Sequence, residues 1–119
     1  MDEVDKKFQK ELAAGISSLI LLKVLSRAAG PMYGYQIAKF IENEREEIPL
    51  LKQGTLYPVL RSLEDNELLA SNVEPSVSGP PRRYYSITSS GKEALRRWEK
   101  TWESTRQFVD AVLKGESNV

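Results

Sequence analysis

The chain has 119 residues, 40% of them hydrophobic, with 17 basic and 17 acidic side chains. This length and composition predict one compact domain with perhaps an extra helix. Cysteine and histidine are both absent, which excludes disulfides, the usual zinc sites and Ser-His-Asp triads, so we expect no cofactor, no metal and no enzyme. The sequence has neither a membrane-length apolar run nor a signal-peptide core, so we expect a cytoplasmic protein without membrane contact.

The first predicted helix covers residues 4–28, and its apolar residues recur every three or four positions. This stripe consists of Phe8, Leu12, Ile16 and Leu19. A short second helix is predicted over residues 35–43, with Ile37, Phe40 and Ile41 pointing inward, before Pro49 forces a break. A third helix is predicted over residues 53–66, with Pro58 near its first turn. Its buried face consists of Leu56, Val59, Leu60 and Leu63.

Two strands are predicted over residues 68–73 and 82–88, joined by a tip rich in proline, serine and glycine. The last helix is predicted over residues 89–113, with Ser89 or Ser90 as its cap. With Thr105 included, its apolar residues follow the rhythm of a coiled-coil seam. They are Leu95, Trp98, Trp102, Val109 and Val112.

Three helices, a hairpin and a long helix are the layout of a winged helix-turn-helix protein. The fold class is therefore mainly α with a small β-hairpin and a long C-terminal dimerisation helix. We predict the DNA-binding domain over residues 1–88, with the first helix also at the dimer interface, and the dimerisation helix over residues 89–119.

The polar face of the third helix is either a DNA-contacting surface or an ordinary solvated face. It carries Gln53, Thr55, Pro58, Arg61 and Ser62, with Tyr57 on the flank. Arg82 and Arg83 follow the hairpin tip, where arginine can reach phosphates or the minor groove. Two solvated surface arginines are the alternative.

Three sequence blocks resemble the PadR family of transcriptional regulators. They are residues 33–37 (Tyr-Gly-Tyr-Gln-Ile), residues 54–64 (Gly-Thr-Leu-Tyr-Pro-Val-Leu-Arg-Ser-Leu-Glu) and residues 82–91 (Arg-Arg-Tyr-Tyr-Ser-Ile-Thr-Ser-Ser-Gly). The family's order and spacing are kept, and the length is similar to its short branch with one C-terminal helix. The resemblance implies a DNA-binding regulator. With the polar face above, the predicted DNA-binding residues are Tyr33, Gly34, Lys52, Gln53, Thr55, Tyr57, Pro58, Arg61, Arg82 and Arg83.

The sequence departs from the family pattern at two positions. Pro80 replaces a charged residue of the wing, so the tip is stiffer and has one cation fewer. Lys52 stands where a serine often caps the third helix, so either another residue provides the cap or the helix starts later with Thr55 as its cap. Lys52 itself can contact a phosphate instead.

The apolar stripes of the first and last helices have no evident partner within the chain, which predicts a homodimer. Such a dimer would bind a palindromic operator in double-stranded DNA. The predicted interface comprises Phe8, Leu12, Ile16, Leu95, Trp98, Trp102, Val109 and Val112. Trp98 and Trp102 share one helix face, either as interface packing or as a stacking site for a planar aromatic small molecule. The resemblance favours the latter, because some multidrug-responsive relatives have an aromatic residue at the position of Trp102. The other predicted effector-binding residues are Leu12, Leu19, Leu95 and Arg106.

The predicted function is therefore a sequence-specific transcriptional regulator, a repressor that a small-molecule effector releases from DNA. The alternative is a winged-helix module that binds another protein and has no DNA-binding activity, which the zero net charge favours.

Overall fold

The computed structural model describes residues 2–44 and 53–116 of the chain. The described part is elongated, with extents of 58 × 36 × 23 Å. None of its helices is long and apolar enough to cross a membrane. In chain order the elements are α1 (Glu3–Arg27), β1 (Met32–Tyr33), α2 (Gly34–Glu44), α3 (Gln53–Asp65), β2 (Leu69–Glu74), β3 (Arg82–Ile87) and α4 (Ser89–Leu113).

The predicted order of helices and strands is confirmed, with one addition. Strand β1 pairs antiparallel with β3, placing Met32 opposite Tyr85 and Tyr33 opposite Tyr84. The sheet therefore has three strands in the order β1-β3-β2, not the two of a simple hairpin. A strand of two residues has no alternating pattern of its own, so sequence periodicity could not reveal it.

The hydrophobic core lies where α1, α3, the sheet and the start of α4 meet. Leu56, Leu60 and Leu63 of α3 are buried, as their helical spacing predicted. The other elements contribute these buried core residues: Leu21, Leu22, Leu25, Ile37, Leu69, Tyr85, Ala94 and Leu95. The expectation that Phe40 points inward is wrong, because its side chain is 47% exposed.

Helices α1 and α4 pack against each other within the chain, and Lys23 Nζ lies 3.3 Å from Glu99 Oε1 across this contact. The expectation that the α4 seam lacks a partner within the chain is therefore wrong for its first turns. Leu95 is only 5% exposed because it fills the core. The core continues into α4 through Ala94 and Leu95. The predicted boundary after residue 88, between the DNA-binding domain and the dimerisation helix, therefore stays a prediction about function.

The cap of α4 differs from the prediction. Thr88, with extended backbone, is the N-cap in place of Ser89 or Ser90, and its Oγ1 accepts a hydrogen bond from the Gly91 N–H at 2.9 Å. The same hydroxyl donates to the Glu67 carbonyl at 2.8 Å. Thr88 therefore fastens the start of α4 to the turn that follows α3.

Pro58 lies inside α3 just after its first turn, near the position predicted from the sequence. Because proline has no N–H, the carbonyl of Gly54, one turn earlier, lacks its usual intrahelical donor.

Candidate nucleic-acid interface

A groove of about 710 Å³ opens between α3, the start of α2 and the wing, which we define as β2, β3 and their connection. Residues from all three sequence blocks that carry the family resemblance meet here. The lining comprises Tyr33, Gly34, Tyr35, Tyr57, Arg61, Glu64, Asp65, Pro81, Arg82, Arg83 and Tyr85. The fold thus brings together six of the predicted DNA-binding residues: Tyr33, Gly34, Tyr57, Arg61, Arg82 and Arg83.

Among the other four predicted residues, Pro58 alone has a described side chain. Pro58 is exposed on α3. Lys52 lies outside the described residues, as do the side chains of Gln53 and Thr55, so their predicted roles stay predictions. Because α3 already begins at Gln53, Thr55 lies inside the helix, so the predicted later start with Thr55 as cap is wrong.

Gly34 is the buried first residue of α2, and it shapes the groove by what it lacks. A Cβ at this position would lie 2.7 Å from Tyr57 Oη and 2.8 Å from Tyr57 Cζ. The absence of a side chain therefore lets the Tyr57 ring lie against the α2 backbone. The start of α2 is also fixed locally, because the Tyr33 N–H donates to Gln36 Oε1 at 3.1 Å.

Arg82 and Arg83 are adjacent in sequence but lie on opposite faces of the wing, because side chains alternate along a strand. The Arg82 guanidinium stacks over the Tyr33 ring, 4.4 Å from its centroid. Tyr33 meets the ring of Tyr84 edge-on at 5.4 Å. Arg82 is thus held at the mouth of the groove by an aromatic pair, with its charge exposed.

Arg83 lies on the same face as the buried Tyr85 and turns toward α3. Its Nη1 donates to Ser71 Oγ at 2.9 Å, and Ser71 Oγ donates to Glu64 Oε2 at 2.5 Å. This chain of contacts joins both strands of the wing to α3. The sequence prediction missed Glu64 and Ser71, because the contact depends on which strand face and helix face meet in the fold.

The groove contains charges of both signs. Burial raises the pKa of the Tyr85 hydroxyl, and the nearby Glu64 carboxylate raises it further, while Arg83 and Arg61 act in the opposite direction. Arg61 is exposed on α3 one turn before Glu64. The arginines thus present positive charge outward from a groove whose wall also contains acidic residues.

A serine side chain contacts the backbone at the wing tip. Ser76 Oγ contacts the carbonyl oxygens of Gly79 and Pro80, each at 2.9 Å. Val77 and Pro80 are exposed. The tip itself therefore carries no cation, consistent with the replacement of a charged residue by Pro80, and the basic residues lie at the base of the wing.

A second surface, the apolar face, follows the exposed parts of α1 and α4. The predicted interface residues Phe8, Leu12, Trp102, Val109 and Val112 are all exposed, while Ile16 and Trp98 are half-buried. The sequence prediction missed three further exposed members: Val4, Phe108 and Leu113. Phe108, at 63% exposed, lies on the edge of the coiled-coil rhythm, so it was not counted in the seam.

Only some of the predicted effector-binding residues are exposed. Trp98 packs against the core, Leu19 is half-buried and Leu95 is buried, while Trp102 is 40% exposed. Arg106 lies 2.5 Å from Glu103 and 3.1 Å from Asp110 in ion pairs on its own helix. These contacts raise the pKa of Arg106 and lower that of Glu103. An anionic effector at Arg106 would therefore compete with two carboxylates.

Helices α2 and α3 next to a wing with arginines at its base define a winged helix-turn-helix DNA-binding protein. The sequence pattern of the Transcriptional regulator PadR-like family matches residues 21–97. The chain therefore belongs to the PadR-like family of transcriptional regulators and takes part in DNA-binding regulation. Membership of this family also confirms that the chain is not an enzyme.

Solved structures agree with this assignment. A PadR family transcriptional regulator from Eggerthella lenta DSM 2243 is 33% identical, with a TM-score of 0.77 and 94% of each chain covered. A transcriptional regulator from Clostridium thermocellum is 29% identical, with a TM-score of 0.73, covering 84% of this chain and 92% of that one. An uncharacterized protein of Lysinibacillus sphaericus is 32% identical over 100 residues, 84% of this chain and 89% of that protein.

Proposed function

We propose that the chain is a homodimeric repressor that binds a palindromic operator in double-stranded DNA through the groove between α3 and the wing. The observation that carries the proposal is the convergence of Arg61, Arg82 and Arg83 on one groove from two elements. Arginine at these positions can bind phosphates and base edges, and an exposed helix beside a wing fits the major groove.

The apolar face supports the dimer. Phe8 and Leu12 of α1 and Val109 and Leu113 of α4 leave apolar side chains exposed along two helices. A second copy of the chain would remove this surface from water, and a two-fold axis would place two grooves on neighbouring half-sites.

The effector part of the proposal depends on the tryptophan pair. Trp98 anchors one end of the pair in the core, and Trp102 presents its indole on the apolar face. A planar aromatic molecule would stack between Trp102 and its two-fold mate and change the tilt of the two grooves, which would release the operator.

An electrophoretic mobility shift with the gene's own upstream DNA tests operator binding. We expect a shift that an unrelated fragment of equal length does not give, and that weakens as salt rises. Arg61→Ala should reduce the shift and leave the oligomeric state unchanged. Arg96→Ala is the matched control, because Arg96 is exposed on α4 outside the groove.

Absence of a sequence-selective shift would contradict the operator proposal and favour the protein-binding alternative. A shift that falls with salt but does not distinguish the two fragments would show phosphate contacts alone. Dissociation of the dimer by Arg61→Ala would contradict the role assigned to Arg61.

Tryptophan fluorescence tests the effector. The chain has two tryptophans, so Trp98 still reports when Trp102 is replaced. We expect a planar aromatic dye to quench the wild type and Trp102→Ala to lose that quenching. Undiminished quenching of Trp102→Ala would contradict a stacking site at Trp102.

A further inference from the structure

The contact between the wing and α3 is made by three side chains from three elements. Glu64 is on α3, Ser71 on β2 and Arg83 on β3. Ser71 Oγ links the other two, at 2.5 Å from Glu64 Oε2 and 2.9 Å from Arg83 Nη1. We call these three residues the relay.

Register explains why the relay forms. In the β2–β3 pairing Ser71 is opposite Tyr85, and Arg83 is opposite Val73, two residues further along β2. Ser71, Arg83 and Tyr85 therefore share the face of the sheet that packs toward α3. Ser71 and Glu64 are half-buried there, and Glu64 and Arg83 line the groove.

Glu64 is an unfavourable residue in a phosphate-binding groove if only its charge is considered. A carboxylate repels phosphates, and it reduces the net attraction that Arg61 and Arg83 provide. The position of Glu64 in the groove is explained if its carboxylate has a structural role in addition to its charge. In this structure it accepts the hydrogen bond that ties the wing to α3.

We propose that Glu64 and Ser71 are positioning residues for operator recognition, because their hydrogen bond, which Ser71 extends to Arg83, holds the wing at a fixed distance from α3. The inference rests on the proposed function. With this distance fixed, Arg61 and Arg82 meet phosphates and bases in one register, so operator binding needs no ordering of the wing when DNA arrives. DNA of unrelated sequence, bound through phosphates alone, tolerates a looser wing.

Ser71→Ala is the sharpest test, because it breaks the relay without changing any charge. We expect its affinity for the operator, measured by fluorescence anisotropy, to fall about fivefold, the factor of roughly one net hydrogen bond. Its affinity for unrelated DNA and the slope of binding against salt should stay at wild-type values. Ser86→Ala is the control, since Ser86 is an exposed serine of β3 on the opposite face.

A pair of charge variants separates positioning from electrostatics. Glu64→Ala and Asp65→Ala each remove one negative charge from the groove wall, and only Glu64 belongs to the relay. We expect Asp65→Ala to bind both DNAs more tightly. Glu64→Ala should bind unrelated DNA more tightly but the operator more weakly, which a purely electrostatic or destabilising role would not produce.

The binding data distinguish a failure of the positioning role from a failure of the proposed function. Operator selectivity in the wild type together with unchanged selectivity in Ser71→Ala and Glu64→Ala would overturn the positioning role alone. A wild type without operator selectivity would contradict the proposed function and, with it, this inference. Thermal unfolding of each variant checks that a loss of selectivity does not reflect a loss of folded protein.

Discussion

Gly34 and Gly91 lie at two buried close contacts, and the atoms that oppose them differ. At Gly34 an added Cβ would meet the ring of Tyr57, which is a movable side chain. At Gly91 it would meet the Leu68 carbonyl oxygen and Ile87 Cγ1, the latter at 2.7 Å. Backbone cannot move aside as a side chain can, so the two positions should respond differently to alanine.

Gly91→Ala should destabilise the fold by about 3 kcal/mol, the upper range for a side chain forced into a packed site. The cost arises because α4 must move away from the start of β2. Urea unfolding at fixed protein concentration measures it. A change below about 0.5 kcal/mol would contradict the close packing of α4 against Leu68.

Gly34→Ala should cost less stability, about 1 kcal/mol, because the Tyr57 ring can shift and because alanine favours the helix. The shift moves a lining residue of the groove, so operator affinity should fall, while Gly91→Ala should affect DNA binding mainly through unfolding. Anisotropy titrations of both variants below their unfolding range compare the two. Equal operator affinity of Gly34→Ala and wild type would show that Tyr57 does not shape the groove.

The sequence predicts individual groove residues well where the signal is local. Arg61 follows from the polar face of α3, and Arg82 and Arg83 follow from their position after the tip. It does not predict that these two arginines have different partners. Strand alternation separates their side chains, but the contacts of Arg83 with Ser71 and Arg82 with Tyr33 depend on long-range register.

Among the elements, α4 combines two environments in one helix. Its first turns are buried through Ala94 and Leu95, and its second half exposes Val109 and Leu113. Helical spacing alone does not distinguish these halves, since the same rhythm runs through both. The bounds of α4 were predicted correctly because the periodic pattern is long, whereas β1 is too short to have a pattern and was missed.

Val109→Asp should weaken the proposed dimer at least about tenfold, because a carboxylate on the apolar face must be desolvated on association. Lys100→Asp is the matched control, since Lys100 is exposed on the opposite side of α4. Sedimentation equilibrium measures both variants. A dimer equally strong in Val109→Asp would show that the second half of α4 is not at the interface.

At the scale of the whole molecule, the chain has zero net charge, yet its fold gathers three arginines at one groove. Composition therefore gave no indication of DNA binding, and the three sequence blocks together did. The winged-helix fold and its family could be predicted from the sequence. The relay and the share of α4 that joins the core could not, because both depend on which faces of separate elements meet in the fold.

The salt dependence of operator binding tests the central claim, that two copies of the groove bind one operator. If Arg82 contacts a phosphate in each subunit of a dimer, Arg82→Ala should reduce the slope of log affinity against log salt by about 2. Arg96→Ala should leave the slope unchanged. A slope that Arg82→Ala does not alter, or one chain bound per operator in a stoichiometric titration, would contradict the account.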